Sequence, residues 1–98
     1  MIHATITGTL YDGPMWRKTK AGDDYVTARI LSAEPNRGYQ ARVAISAYQA
    51  DAADMLALIE EGEAVCVTGQ LWPRYWHDNY GQPQVTLSLT AEAVELLR

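Results

Sequence analysis

The sequence predicts an all-β fold, a five-stranded Greek-key barrel with one α-helix between strands 3 and 4. Three observations predict it. Apolar residues alternate with polar ones at a period of two in five stretches rich in Val, Ile and Thr. The period changes once, to that of an amphipathic helix, between the third stretch and the fourth. The 98 residues hold no internal repeat, linker or low-complexity segment, so one domain spanning residues 1–98 is expected.

The first strand comes from Ile2, Ala4, Ile6, Gly8 and Leu10 alternating with His3, Thr5, Thr7 and Thr9. Gly8 in mid-strand predicts a bulge or sharp bend of the kind a small curled barrel requires. Tyr11 to Gly22 reads as a loop, with Asp12-Gly13-Pro14 as its turn and Trp16, Arg17, Lys18 and Lys20 upon it. Tyr25 to Leu31 is the second strand, with Val26, Ala28 and Ile30 inward and Tyr25, Thr27 and Arg29 on the other face. Ser32 to Gly38 is a turn or short loop. The third strand, Tyr39 to Tyr48, directs Val43 and Ile45 inward and Arg42, Ser46 and Tyr48 outward, though Ala44 and Ala47 blur its register.

From about Gln49 to Glu61, Ala52, Met55, Leu56 and Ile59 form an apolar helical stripe. Asp51 and Asp54 near its start suit the helix dipole, and Gly62 closes it as the residue after the C-cap. In the fourth strand Val65, Val67, Gly69 and Leu71 alternate with Cys66, Thr68, Gln70 and Trp72. In the fifth, Val85, Leu87 and Leu89 alternate with Gln84, Thr86, Ser88 and Thr90. Asn79-Tyr80-Gly81 turns the chain between them, and Ala91 to Arg98 reads as a short extension packed on the barrel. The order β-β-β-α-β-β is that of the OB-fold, whose strand 2–3 face and loops bind oligonucleotides.

Composition narrows the function. Nearly half the residues are hydrophobic, which disfavours disorder, and no apolar run approaches the ~20 residues that span a bilayer. The opening MIHATITGTL alternates as a strand and has no basic n-region, so no signal peptide is visible. Lone Cys66 among valines reads as a small buried hydrophobe in a reducing compartment, and a cytoplasmic protein is expected. His3 and His77 lie far apart with no ligand cluster, so no metal or other cofactor is expected. No GxSxG, P-loop or HExxH motif occurs, and Asp51 and Asp54 read as a solvated face, so no enzyme is expected.

The net charge of −4 opposes nucleic-acid binding, but the charge is segregated. Pro14 to Gln49 carries six basic residues (Arg17, Lys18, Lys20, Arg29, Arg37 and Arg42) against three acids, whereas Ala50 to Val65 carries five acids and no Lys or Arg. Local field steers a polyanion more than total charge does. The hairpin joining strands four and five bears Trp72, Tyr75, Trp76 and Tyr80 with Arg74 among them. So many large rings near an exposed tip make base stacking a candidate.

Three segments resemble the bacterial single-stranded DNA-binding (SSB) family. GTLYDGPMWRKTKAG is similar to its opening through Gly8, Leu10, Pro14, Arg17 and Gly22. ALIEEGEAVCVTGQL is similar to its passage from helix into strand four. RYWHDNYGQP is similar to its hairpin through Arg74, Trp76, Asp78, Gly81 and Gln82. The resemblance implies an OB-fold that wraps single strands, as a homotetramer or dimer, in replication, restart or repair, with replication-restart proteins as partners. It implies that Trp76 is a base-stacking position, that Tyr48 is the aromatic ending the third strand, and that Arg17 is a basic residue of the first loop. The sequence departs from the family where Arg42 stands in place of a tryptophan and where AEPNRG shortens the loop between strands two and three. The 98 residues include no acidic partner-recruiting tail, which makes the chain similar also to primosomal replication protein N and to SSB-like proteins of mobile elements.

The expected interface comprises stacking on Trp76, Tyr48, Trp72 and Trp16, with Tyr25 beside them. Phosphate contacts are expected from Arg17, Lys18, Lys20, Arg29, Arg42 and Arg74. Each has an alternative: Trp76 packed across the hairpin against Tyr80, Trp72 at a subunit contact, Trp16 plugging the barrel end, the cations as a solvated loop. An OB-fold protein-interaction subunit and RNA binding are the rival functions.

Overall fold

The computed structural model describes residues 2–34 and 38–97. Five strands and one helix follow in the order β1 (Ile2–Lys18), β2 (Asp24–Glu34), β3 (Tyr39–Ala47), α1 (Ala50–Ala57), β4 (Ala64–His77) and β5 (Pro83–Leu96). The strands close into a barrel in the order β1-β2-β3-β5-β4, antiparallel except for the β3–β5 contact. This is the five-stranded OB-fold that the alternation predicts, with its helix between β3 and β4.

The core is what the inward residues of each strand supply. Leu10, Val26, Ile30, Val43, Ile45, Val65, Val67 and Leu89 are each essentially fully buried, and no polar or charged side chain joins them among the described residues. Each such aliphatic side chain contributes about 1.5–3 kcal/mol by leaving water. In β3, Ala47 continues the buried row of Val43 and Ile45 while Ala44 faces out, which resolves the register that the two alanines blur.

Several elements run further than their sequence suggests. β1 does not stop at Leu10: it continues through the expected loop to Lys18, with register shifts between Leu10 and Asp12 and between Asp12 and Met15. Asp12-Gly13-Pro14 is therefore an irregularity within a strand, and the chain reverses instead at residues 19–23, where Gly22 N–H donates to the Thr19 carbonyl. The length lets one strand serve two neighbours: β1 pairs with β4 from Ile2↔Leu71 to Thr9↔Ala64, then with β2 from Thr9↔Leu31 to Lys18↔Asp24. Gly8 stands at the changeover, where a Cβ would come within 2.6 Å of the Leu31 carbonyl oxygen. Gly69 is as constrained, since a Cβ there would overlap the Thr90 carbonyl, beside the bulge between Thr68 and Gly69.

β2 likewise runs on to Glu34 through part of the expected Ser32 to Gly38 loop; residues 35–37 lie outside those described. The stretch after Ala91 is the second half of β5, paired with β4 as far as Val65↔Leu96, rather than a separate extension. In the opposite direction, α1 is shorter than its stripe. It ends at Ala57 with Leu58 as C-cap, and Gly62 sits beyond it, donating its N–H to the Leu10 carbonyl. The buried helical residues are Ala52, Ala53 and Leu56, with Ile59 following in the turn, whereas Met55 faces out. The helix packs mainly on β5 and β2 and closes that end of the barrel.

Candidate nucleic-acid interface

Residues opposite one another on paired strands share a face, and successive residues alternate. With Val26, Ala28 and Ile30 inside, Tyr25, Thr27 and Arg29 face out of β2. The register carries that face across the sheet. On β1 it continues through Arg17↔Tyr25, Met15↔Thr27 and Asp12↔Arg29. On β3 it continues through Thr27↔Ser46, Arg29↔Ala44 and Leu31↔Arg42. Ala44↔Ser88 and Ser46↔Thr90 pass it to β5. Trp72↔Ser88, Arg74↔Thr86 and Trp76↔Gln84 take it to β4. One outer strip thus holds Arg17, Tyr25, Arg29, Arg42, Tyr48, Trp72, Arg74 and Trp76.

At one end Tyr48, just beyond β3, stacks on Tyr25 with ring centroids 4.8 Å apart and planes inclined by 20°. Tyr48 remains 52% exposed, so its outer π-face is open. The other end is the β4–β5 hairpin. β1 covers β4 only as far as Leu71, and β3 covers β5 only from Leu87 to Thr90, so residues 74–86 pair with each other alone. This arm projects from the barrel, with Trp76 on it at 44% exposure and Trp72 at its base at 51%. Pairing runs without a shift through Pro73, so both tryptophans face the same side. Trp76 is fixed from beneath by its indole Nε1–H, which donates to Thr86 Oγ1 at 2.9 Å. No Trp76–Tyr80 ring pair occurs among the described residues, and Tyr80 is almost wholly exposed.

The hairpin tip is built around Asp78. Its Oδ1 accepts from the backbone N–H groups of Tyr80 and Gln82, both at 2.9 Å, and its Oδ2 accepts from Gln84 Nε2 at 3.2 Å. These bonds, that from Gln82 foremost, hold the carboxyl below the usual carboxylate range. Gly81 completes the turn at φ 76°.

Between the two ends lie the cations. Arg17 Nε donates to Thr27 Oγ1 at 2.9 Å, and Arg29 approaches Asp12 at 3.9 Å. Arg42 and Arg74 have no carboxylate partner among the described residues. Shallow grooves follow the same strip, one walled by Met15, Thr27 and Ser46, the other by Arg74, Trp76, Thr86 and Ser88. Met15, Thr27, Ser46, Thr86 and Ser88 are absent from the sequence-derived set. The period-two pattern contains four of them, and Met15 is hidden by the reading of its segment as a loop.

Three expected residues are not brought to this strip. Trp16 pairs with Val26 and Lys18 with Asp24, so both take the side opposite Arg17. Lys18 is bound to Asp24 at 2.8 Å, and that hydrogen bond and charge raise its pKa. Lys20 lies in the exposed turn beyond the end of β1.

The model of the single-strand binding protein family matches residues 1–97. The chain belongs to that family. No curated protein sequence matches the chain. Among solved structures, the chain is similar in fold to the mitochondrial single-stranded DNA binding protein Rim1 of S. cerevisiae, at 19% identity and TM-score 0.77, covering 99% of this chain and 95% of that one. A small single-stranded DNA-binding protein from Streptomyces coelicolor is 18% identical with TM-score 0.78, covering 98% and 94%. The Plasmodium falciparum SSB in complex with ssDNA is 18% identical with TM-score 0.68, covering 100% and 96%. At such identities the structural likeness speaks for the fold alone, and the family match carries the membership.

Proposed function

We propose that this family member binds single-stranded DNA along the outer strip, without sequence readout. Bases stack on Trp76, Trp72 and Tyr48, with Tyr25 supporting Tyr48 from behind. Phosphates are held by Arg17, Arg29, Arg42 and Arg74. The observation that carries the reading is the register, which aligns three half-exposed rings and four arginines on one face of a single-strand binding barrel. Every base has a π-face, so stacking tolerates any sequence, and it is worth roughly 1–3 kcal/mol per base. A role in replication, restart or repair, and assembly as a dimer or tetramer, follow from the family resemblance. Exposed Tyr75 and Val85, paired on the underside of the hairpin, are consistent with contact between copies.

Titration with dT oligonucleotides, followed by intrinsic tryptophan fluorescence at low and high salt, tests the reading. Quenching that added salt reverses is expected. A Trp76→Ala plus Arg17→Ala double variant should lose DNA binding while keeping the wild-type mass in sedimentation. A variant that binds normally but changes its assembly would instead favour a protein-interaction subunit.

A further inference from the structure

The end of the barrel closed by α1 carries a second surface that shares no residue with the strip. Ala52, Ala53 and Leu56 are buried in the core, but Met55 is 40% and Leu58 74% exposed. A groove runs between these two side chains and the end of β5, lined by Met55, Leu58, Ile59, Val94, Glu95 and Leu96. Glu95 is its one charged wall. Helical spacing sets Asp51 and Asp54 along the same exposed stripe as Met55 and Leu58, and Glu60 and Glu61 follow in the exposed turn. None of these five acids has a Lys or Arg within ion-pair distance among the described residues. From Ala50 to Leu97 the single Lys or Arg is Arg74, which belongs to the strip.

An apolar slot set among carboxylates that pair with no described Lys or Arg selects its occupant. The lining calls for apolar side chains, with Met55 as an adaptable wall. The surrounding field attracts cations and repels both nucleic acid and a second acidic copy of this end of the chain. We propose that this groove docks a short amphipathic helix of a partner protein, apolar on one face and flanked by Lys and Arg. Such a helix would lay its apolar ridge along Met55, Leu58 and Leu96 and direct its cations to Glu95, Asp54 and Glu61. The partner and single-stranded DNA would then bind together, because their surfaces are separate and opposite in charge.

The test is a chemical-shift titration of the full-length ¹⁵N-labelled chain with a synthetic peptide of Leu and Lys at amphipathic helical spacing. The same peptide with Glu for every Lys is the control. Shifts are expected at Met55, Leu58, Glu95 and Leu96 with the Lys peptide only. Leu58→Ser and Glu95→Lys, both at exposed positions, should each weaken the peptide roughly tenfold, the scale of one lost anchor, and leave dT binding unchanged. The proposal is overturned by no binding, by shifts centred on the strip, by equal binding of the Glu peptide, or by affinity indifferent to both variants. A Leu58→Ser change that lowers the mass of the free protein in sedimentation would assign the groove to a second copy and overturn it as well.

Discussion

Trp76 and Trp16 are both half-exposed indoles close to arginine in sequence, yet the register gives them opposite sides of the sheet. The consequence is a prediction for single residues. Trp76→Ala removes one platform and should weaken dT oligonucleotide binding about 5- to 150-fold, the equivalent of roughly 1–3 kcal/mol. Trp16→Ala should leave affinity within about twofold, since its side of β1 carries no arginine of the strip. Equal losses from the two changes would contradict the placement of the strip. The Tyr25–Tyr48 pair adds a subtler expectation. Tyr25→Ala removes the support of Tyr48 rather than a platform, so it should cost less than Tyr48→Ala in the same titration.

At the scale of elements, the hairpin depends on its turn. Asp78 has a depressed pKa, so its contribution is complete above the unfolded carboxylate value of about 3.9 and is lost as pH falls through the lower folded value. The Tyr80 and Gln82 amide shifts should therefore titrate together, with a midpoint below about 3.9. A midpoint at or above that value would mean the carboxylate does not hold the tip. Opposite the bulge in β5, Gly69→Ala forces a methyl group against the Thr90 backbone and should destabilise the chain by about 1–3 kcal/mol in urea unfolding.

The elements also show what the sequence makes legible. Period-two alternation identified β2, β3 and β4 and the outward side of each, because one buried face writes itself into the residue pattern. Tyr25, Arg29 and Arg42 could therefore be assigned to the outer face of β2 and β3 without coordinates. The pattern failed where the ladder is irregular. Two register shifts within β1 break the alternation after Leu10, so Tyr11 to Gly22 read as a loop and Trp16 was grouped with Arg17 in the expected interface. The bulge near Gly69 reverses the phase of β5 beyond Ala91, which disguised the end of that strand as an extension. In α1 the short helix and tight following turn bring Ala53, rather than Met55, against the barrel. Alternation does not encode such local insertions.

On the scale of the molecule, a chain of net charge −4 is reconciled with a polyanionic ligand by separation. Arg17, Arg29, Arg42 and Arg74 occupy the strip, while Asp51, Asp54, Glu60, Glu61 and Glu95 surround the end closed by α1. If three or four phosphates are neutralised, log affinity should fall against log salt with a slope of about −2 to −3, near −0.7 per contact on a single strand. A slope near zero would remove the arginines from the mechanism.

The three indole Nε1–H resonances of Trp16, Trp72 and Trp76 report on the central claim in one spectrum. On adding a dT oligonucleotide to the ¹⁵N-labelled protein, the Trp72 and Trp76 signals should shift strongly and the Trp16 signal should stay in place. A shift confined to Trp16, or none at all under conditions where DNA is bound, would contradict a binding face made of Trp72, Trp76 and Tyr48.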